Sequence, residues 1–244
     1  MSRFAHWKRG LWQARIMPVY VVSIAVALAG CTSSGPTNPL SGSSRSADDS
    51  KKVGDGVKLL MDSIDKPQTS IHFSYQAREN LNPKFPSQTG SQPAMGTAAV
   101  EADITPDAVD VIETRGGKRT ETKANKSDPA FGLAKLPVLG AMLEVTFPLA
   151  IGGAAAQSAG SDTVGSVATD KFDIDTTTAS AATQAGISTL AAMLGGKVKI
   201  KSVKGAVWLE KSSGRIVKFN LDSDLGTQDG QSWQEHHKVV VTPK

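Results

Sequence analysis

The stretch GAVWLEKSSGRIVKFNL, residues 205–221, decides the fold class. Val217, Phe219 and Leu221 alternate with Lys218, Asn220 and Asp222, the period of two that buries one side of a strand and wets the other. Gly205 to Lys211 is a second extended run, and Lys211-Ser212-Ser213-Gly214 is a tight turn between the two. Outward from this hairpin lie Lys197 to Ser202 and Ser232 to Val241, where Trp233, His237, Val239 and Val241 fall on one face. The C-terminal third reads as an antiparallel meander.

The first half repeats the pattern. Val53, Val57, Leu60, Met61 and Ile64 form the stripe of an amphipathic helix over Lys51 to Asp65, weakened in its first turn by Gly54 and Gly56. Ile71, Phe73 and Tyr75 then alternate with His72, Ser74 and Gln76, up to a polar loop from Asn80 to Pro93. Ala98, Val100, Ala102 and Ile104, then Val109 to Glu113, then Lys118 to Lys123 after Gly116-Gly117, give three more strands. A strand at Val167 to Ile174 precedes caps at Thr176 to Ser180 and a helix marked by Ile187, Leu190, Ala191 and Leu194, stopped by Gly195-Gly196. No steady alternation of strand and helix supports a parallel sheet.

Between these halves, Phe131 to Ala156 is apolar on every side of a helical wheel, and from Leu136 onward its one charge is Glu144. A helix of that kind is buried or in lipid. Pro137 can open it, Pro148 and Gly152-Gly153 are expected to kink or end it, and a central Glu144 is costly in a bilayer. The readings for residues 136–156 are a buried helix, a mobile lid or a membrane segment.

The N-terminus is an address. Arg3, Lys8, Arg9 and Arg15 precede an apolar run from Ile16 to Ala29, the layout of a secretory signal peptide and short for a spanning helix. Leu28-Ala29-Gly30-Cys31 resembles the lipobox of bacterial lipoproteins, in which the peptidase recognises Leu28, Ala29 and Gly30 and the cysteine is acylated. Two or more acyl chains hold a protein on a bilayer. Thr32, where an inner-membrane retention signal would have aspartate, favours the outer membrane facing the periplasm in a diderm host. Residues 1–30 are thus expected to be a signal peptide, 31–50 a Ser/Gly/Pro-rich tether, and 51–244 a single α+β domain.

The composition agrees. With 244 residues, 39% hydrophobic, the chain can build a core without staples, and its single cysteine rules out an internal disulfide or a cysteine-cluster metal site. The net charge of +4 comes from the four basic residues before Gly30. Without them the chain is neutral, so no nucleic-acid partner is expected.

Catalytic signals are weak. Asp173-Ile174-Asp175-Thr176-Thr177 resembles the nucleophile string of haloacid-dehalogenase-type phosphatases, but sits late and in an antiparallel setting, where it reads as a strand end capping a helix. Asp222, Asp224, Gly226 and Asp229 suggest part of a calcium loop, yet lack its glycine and glutamate positions and read as a solvated hairpin loop. His236 and His237 are adjacent and point to opposite faces of a strand, and His72 is remote. Nucleophile-elbow, phosphate-loop and dinucleotide fingerprints are absent from the sequence. A non-catalytic protein is expected, with no catalytic residue, metal or cofactor.

The meander, with Gly205-Ala206-Val207-Trp208-Leu209, the Ser213-Gly214 turn and Ile216-Val217-Lys218-Phe219, resembles the outer-membrane lipoprotein-carrier superfamily (LolA/LolB-like) and its mycobacterial lipid-carrying relatives. The resemblance implies a curved antiparallel sheet, a half-open barrel, with helices over its concave face and an apolar cavity for acyl chains. Phe73, Tyr75, Leu139, Met142, Phe147 and Trp208 are the side chains expected to face that cavity. Two functions follow: binding or carrying a lipid or other hydrophobic ligand, or docking a protein partner of an envelope complex.

Overall fold

Most strands form where the sequence alternates, and turns set the pairing within each run of strands. The computed structural model describes residues 43–81, 96–193, 198–227 and 232–244. The expected signal segment, Leu28 to Cys31, the first part of the tether, most of the Asn80 to Pro93 loop, Leu194 to Gly196 and Asp229 lie outside the described residues.

Helix α1 spans Ser43–Asp65, followed by strands β1 (Ile71–Leu81), β2 (Gly96–Ile104), β3 (Ala108–Arg115) and β4 (Lys118–Asn125). Helices α2 (Phe131–Ala134) and α3 (Leu136–Gly153) lead to β5 (Ala156–Val164) and β6 (Val167–Asp175). A 3-10 turn (Thr176–Thr178) and α4 (Ala181–Met193) precede β7 (Val198–Glu210), β8 (Ile216–Thr227) and β9 (Ser232–Pro243). The nine strands form one antiparallel sheet in the order β4-β3-β2-β1-β9-β8-β7-β6-β5, curved and open, with β4 and β5 as its edges. The chain is α+β.

Two meanders thus meet where β1 pairs with β9, Phe73 opposite Val241 and Tyr75 opposite Val239. The registers line up rows of side chains across the concave face. One row runs Val100, Tyr75, Val239, Phe219, Val207 and Phe172, all buried. Against it pack Val53, Leu60 and Ile64 of α1 and Val138, Met142, Val145 and Leu149 of α3, in a single core cluster. Every buried residue of that cluster lies between Val53 and Val241, within a compact unit of residues 37–244. This part of the chain therefore carries its own fold.

Helix α3 joins the end of one meander to the start of the other, and so crosses the sheet from the β4 side to β5. It is long and apolar enough to span a bilayer, but 61% of its apolar window is buried against the rest of the protein. The helix runs through Pro148 without ending. Proline costs the bond to the carbonyl four residues earlier, and packing on the sheet outweighs that local loss.

Several elements differ from the expectation, each for a tertiary reason. Helix α1 begins at Ser43, so residues 43–50 of the expected tether are helical. There Asp49 Oδ2 accepts from the Ser158 amide at 2.9 Å, and Ser50 Oγ donates to the Ala154 carbonyl at 3.2 Å. Gly56 is a contact surface: a Cβ there would lie 3.0 Å from the Gly214 carbonyl oxygen and 3.1 Å from Ile216 Cγ1. Strand β5, almost entirely exposed and polar, carries no alternation to read, and as an edge it needs none. The two runs split at Val203-Lys204 are one strand, β7, with a bulge between Ile200 and Ser202. Strand β8 continues to Thr227, so Asp222 and Asp224 stand on a strand and not in a hairpin loop.

Gly205 lets β7 and β8 stay in register. Its φ is +143°, and a Cβ would collide with the Asn220 carbonyl oxygen. Gly205→Ala is expected to lower stability by about 3 kcal/mol or more, or to prevent folding, measured by urea unfolding followed by circular dichroism.

Candidate functional site

Five of the six side chains expected in the cavity meet in one core, Phe73 and Tyr75 from the concave face of the sheet and Leu139, Met142 and Phe147 from α3. Phe73, Tyr75 and Met142 are fully buried in the core, and Leu139 and Phe147 are half-buried against it. Trp208 is not among them. Between Val207 and Leu209, which both join the main core, its ring turns to the convex face and forms a second cluster with Val164, Ala206 and Val217. There Lys218 Nζ stands 4.2 Å and Lys171 Nζ 5.8 Å from its ring centre. Its Nε1 donates to Asp162 Oδ2 at 2.7 Å. The alternation of β7 carries this signal once the strand is traced without a break.

The concave face also holds a polar chain where the apolar surfaces meet. Glu144, the one charge of α3, accepts from the Tyr75 hydroxyl at 2.9 Å and from Arg115 Nη2 at 2.8 Å. Arg115 Nε also donates to Glu113 Oε1 at 3.2 Å. On the other side of Tyr75, His237 Nδ1 lies 3.4 Å from the phenol oxygen, with the rings stacked at 6.3 Å. His237 Nε2 contacts Glu235 Oε2 at 3.2 Å, and Trp233 Nε1 donates to Glu235 Oε1 at 2.9 Å. The chain ties α3 to β3, β1 and β9.

Burial, then the neighbouring Glu144 carboxylate, pushes the Tyr75 phenol far above its ordinary value, so it stays a donor. For Arg115, burial works against the charge but is outweighed by Glu144 and Glu113, and its pKa stands above the ordinary value. Such charge-assisted bonds are stronger than neutral ones. The lone glutamate of α3 was the sequence signal for this network. Alternation puts Arg115 on the face of Val109 and Val111 and Glu235 on that of Trp233 and His237, but the partners that join them to the network are far off in sequence.

The remaining candidates have structural roles. Asp175 Oδ1 accepts from the Thr177 amide at 2.9 Å and caps the 3-10 turn, while Asp173 pairs with Lys171 at 2.8 Å. His72 meets Asp103 and Glu101, and His236 meets Asp222, all on the convex face. His237 lies on the opposite face, as adjacency in a strand requires. Among the described residues no group of three or more His, Cys, Asp or Glu is placed to hold a metal ion.

No family model and no curated protein matches the chain. The solved structures it is similar to include an inactive mutant of the CurJ dehydratase in complex with a compound. That likeness has 12% identity and a TM-score of 0.15, covering 79% of this chain and 82% of that one. Another is a conserved hot dog fold protein of unknown function from Alicyclobacillus acidocaldarius, at 9% identity and a TM-score of 0.12, covering 79% and 87%. At these scores neither likeness bears on fold or activity.

Two outcomes are expected from this geometry. Tyr75→Phe removes a bond to a charged acceptor and leaves the ring in place, lowering stability by about 1–2 kcal/mol in urea unfolding. The indole hydrogen bond holds the Asp162 carboxyl below its usual range. That contribution is therefore present above the unfolded value of about 3.9 and is lost as pH falls through the lower folded value. The Trp208 indole N–H resonance should be constant at neutral pH, shift in acid, and lose that transition in Asp162→Asn.

Proposed function

We propose that the chain is a membrane-anchored bacterial lipoprotein, without catalytic role, that binds or carries a lipid or other hydrophobic ligand between the concave face of its sheet and α3. The anchor is the acylated Cys31, with the folded part facing the periplasm from the outer membrane of a diderm host.

The observation that best supports this reading is the placement of α3. An apolar helix lies across the open mouth of a curved sheet lined by Phe73, Tyr75 and Val239. Among the described residues its polar attachment to the sheet runs through Glu144, with Tyr75 and Arg115 as partners. A helix held to the sheet by apolar packing and one polar clasp can exchange that packing for an acyl chain at little cost. Each buried methylene of such a chain contributes about 0.8 kcal/mol. A second reading, an assembly lipoprotein docking an envelope partner, is favoured by Leu133 and Leu136, which stand 65% and 43% exposed at the α2–α3 junction.

Native mass spectrometry of residues 32–244, expressed in a diderm host and followed by organic extraction, separates the two. A stoichiometric apolar adduct is expected. A clean apo mass from folded monomer would overturn the carrier reading and favour the docking one.

A further inference from the structure

We infer that the start of α1 guards the open edge of β5: Asp49 and Asp162 keep the protein monomeric by occupying edge amides through which β5 would otherwise pair with β5 of a second copy. This inference stands apart from the carrier reading.

The two edges of the sheet are defended differently. Strand β4 carries Lys118, Arg119, Glu121 and Lys123, all exposed, with Lys123 Nζ 2.9 Å from Asp110 and 3.0 Å from Glu121. Long charged side chains along an edge discourage pairing with another chain. Strand β5, AQSAGSDTV, is exposed from Gln157 to Thr163, has no lysine, arginine or proline, and has Asp162 as its one charge. Its small side chains leave the backbone accessible.

The hairpin shows which amides are at stake. Gly165 and Ser166 form a two-residue turn, with φ +60° at Gly165, closed by Val164 opposite Val167. From such a closing pair the amides alternate, one directed at the partner strand and the next away from it. Thr163 and Ser161 therefore face the open side, and so does Ser158 beyond the bulge between Ser158 and Gly160. Two of these three are taken. The Ser158 amide donates to Asp49 Oδ2 at 2.9 Å, and the Thr163 amide to Asp162 Oδ1 at 2.7 Å. Asp49 is 9% exposed, so its carboxylate has turned from solvent to the strand. Asp162 is fixed through its other oxygen, which accepts from the Trp208 indole. A strand laid along β5 would bring its carbonyl oxygens against these carboxylates, acceptor against acceptor, where it needs free N–H groups.

Self-pairing is the contact that the caps oppose, because β5 is complementary to itself. Antiparallel pairing about a two-fold axis at Ser161, whose amide has no carboxylate cap, sets Gly160 of one copy opposite Asp162 of the other. No two charges are then opposed, and the interface is isologous. One short strand pair buries little surface, so the dimer is weak and the caps are read as a change in its affinity.

The test uses residues 37–244, which contain no cysteine, in sedimentation velocity over a concentration series. The parent is expected to stay monomeric, and Asp49→Ala/Asp162→Ala to dimerise about tenfold more tightly or better. Asp49→Ala alone, which leaves Trp208 its partner, should give part of that gain. Asp49→Asn/Asp162→Asn keeps an acceptor oxygen at each cap without the charge, and should behave as the parent. In dilute, monomeric protein the Ser158 and Thr163 amides should exchange about tenfold faster in the alanine variant, with the amides joining β1 to β9 unchanged. Ser161→Cys added to the alanine variant should oxidise to a disulfide-linked dimer, since facing Cα atoms in such a pair lie within disulfide range. Alanine variants that expose those amides yet stay monomeric would overturn the guard. So would an asparagine variant that dimerises as tightly as the alanine one, or a dimer that does not cross-link through Ser161→Cys.

Discussion

A helix without a polar face can persist only where it is covered, and α3 has to be covered while it carries the chain from one side of the sheet to the other. Nine strands laid flat would extend about 38 Å between edge axes, whereas an 18-residue helix is about 27 Å long. Curvature of the sheet shortens the crossing and also wraps strands around the helix. The same curl turns Phe73, Val207, Phe219 and Val239 toward a common interior. Much of the remaining architecture accommodates this crossing. Gly152 and Gly153 bring the end of α3 close to Ile174, Val203 and Val53. At its start, Lys135 places its ammonium 2.6 Å from the Asp65 carbonyl at the end of α1.

Glu144 is where α3 gives up hydrophobicity. Even partial burial of a carboxylate is unfavourable unless it is paired and hydrogen-bonded, and for the part-buried Glu144 an arginine and a phenol supply both. Together with His237, Glu235 and Trp233 they make a polar line on an otherwise apolar surface, anchored on three strands and one helix. Apolar packing is non-directional and fixes how much of α3 is buried. The clasp at Glu144 fixes which way it faces.

The architecture was legible because each half of the protein is a meander, and hairpin strands announce themselves by alternation. Val217-Lys218-Phe219-Asn220-Leu221 could be read directly, and the stripe from Val53 to Ile64 placed α1 on a core. What sequence could not supply was long-range partnership. Strand β5 is polar along nearly its whole length because an edge has little to bury, and Ser43 to Ser50 are helical through anchors to Ala154 and Ser158 more than a hundred residues away. Trp208 shows the limit most plainly. A large aromatic beside Val207 and Leu209 invites placement in the core, yet with its neighbours facing inward it must face outward, where two lysines and Asp162 receive it. The faces of Glu144, Tyr75, Trp233 and His237 were legible one element at a time, but not their meeting, because they come from strands and a helix far apart in sequence.

The pairing of β1 with β9 has a consequence in time. The first strand of the sheet and the last are neighbours at its centre, so the contact that unites the two meanders is among the most distant in the chain. Contacts of such separation are slow to form because the loop they close is long. A chain delivered from its N-terminus, by a ribosome or through a membrane pore, can form the β1–β4 meander early, but β1 must wait with one edge open until β9 arrives. During that interval the inward faces of Phe73 and Tyr75 lack the β9 half of their cover. Delivery in an unfolded state followed by late closure suits this topology, and the interval before closure is when the half-sheet is most exposed to pairing with the wrong strand.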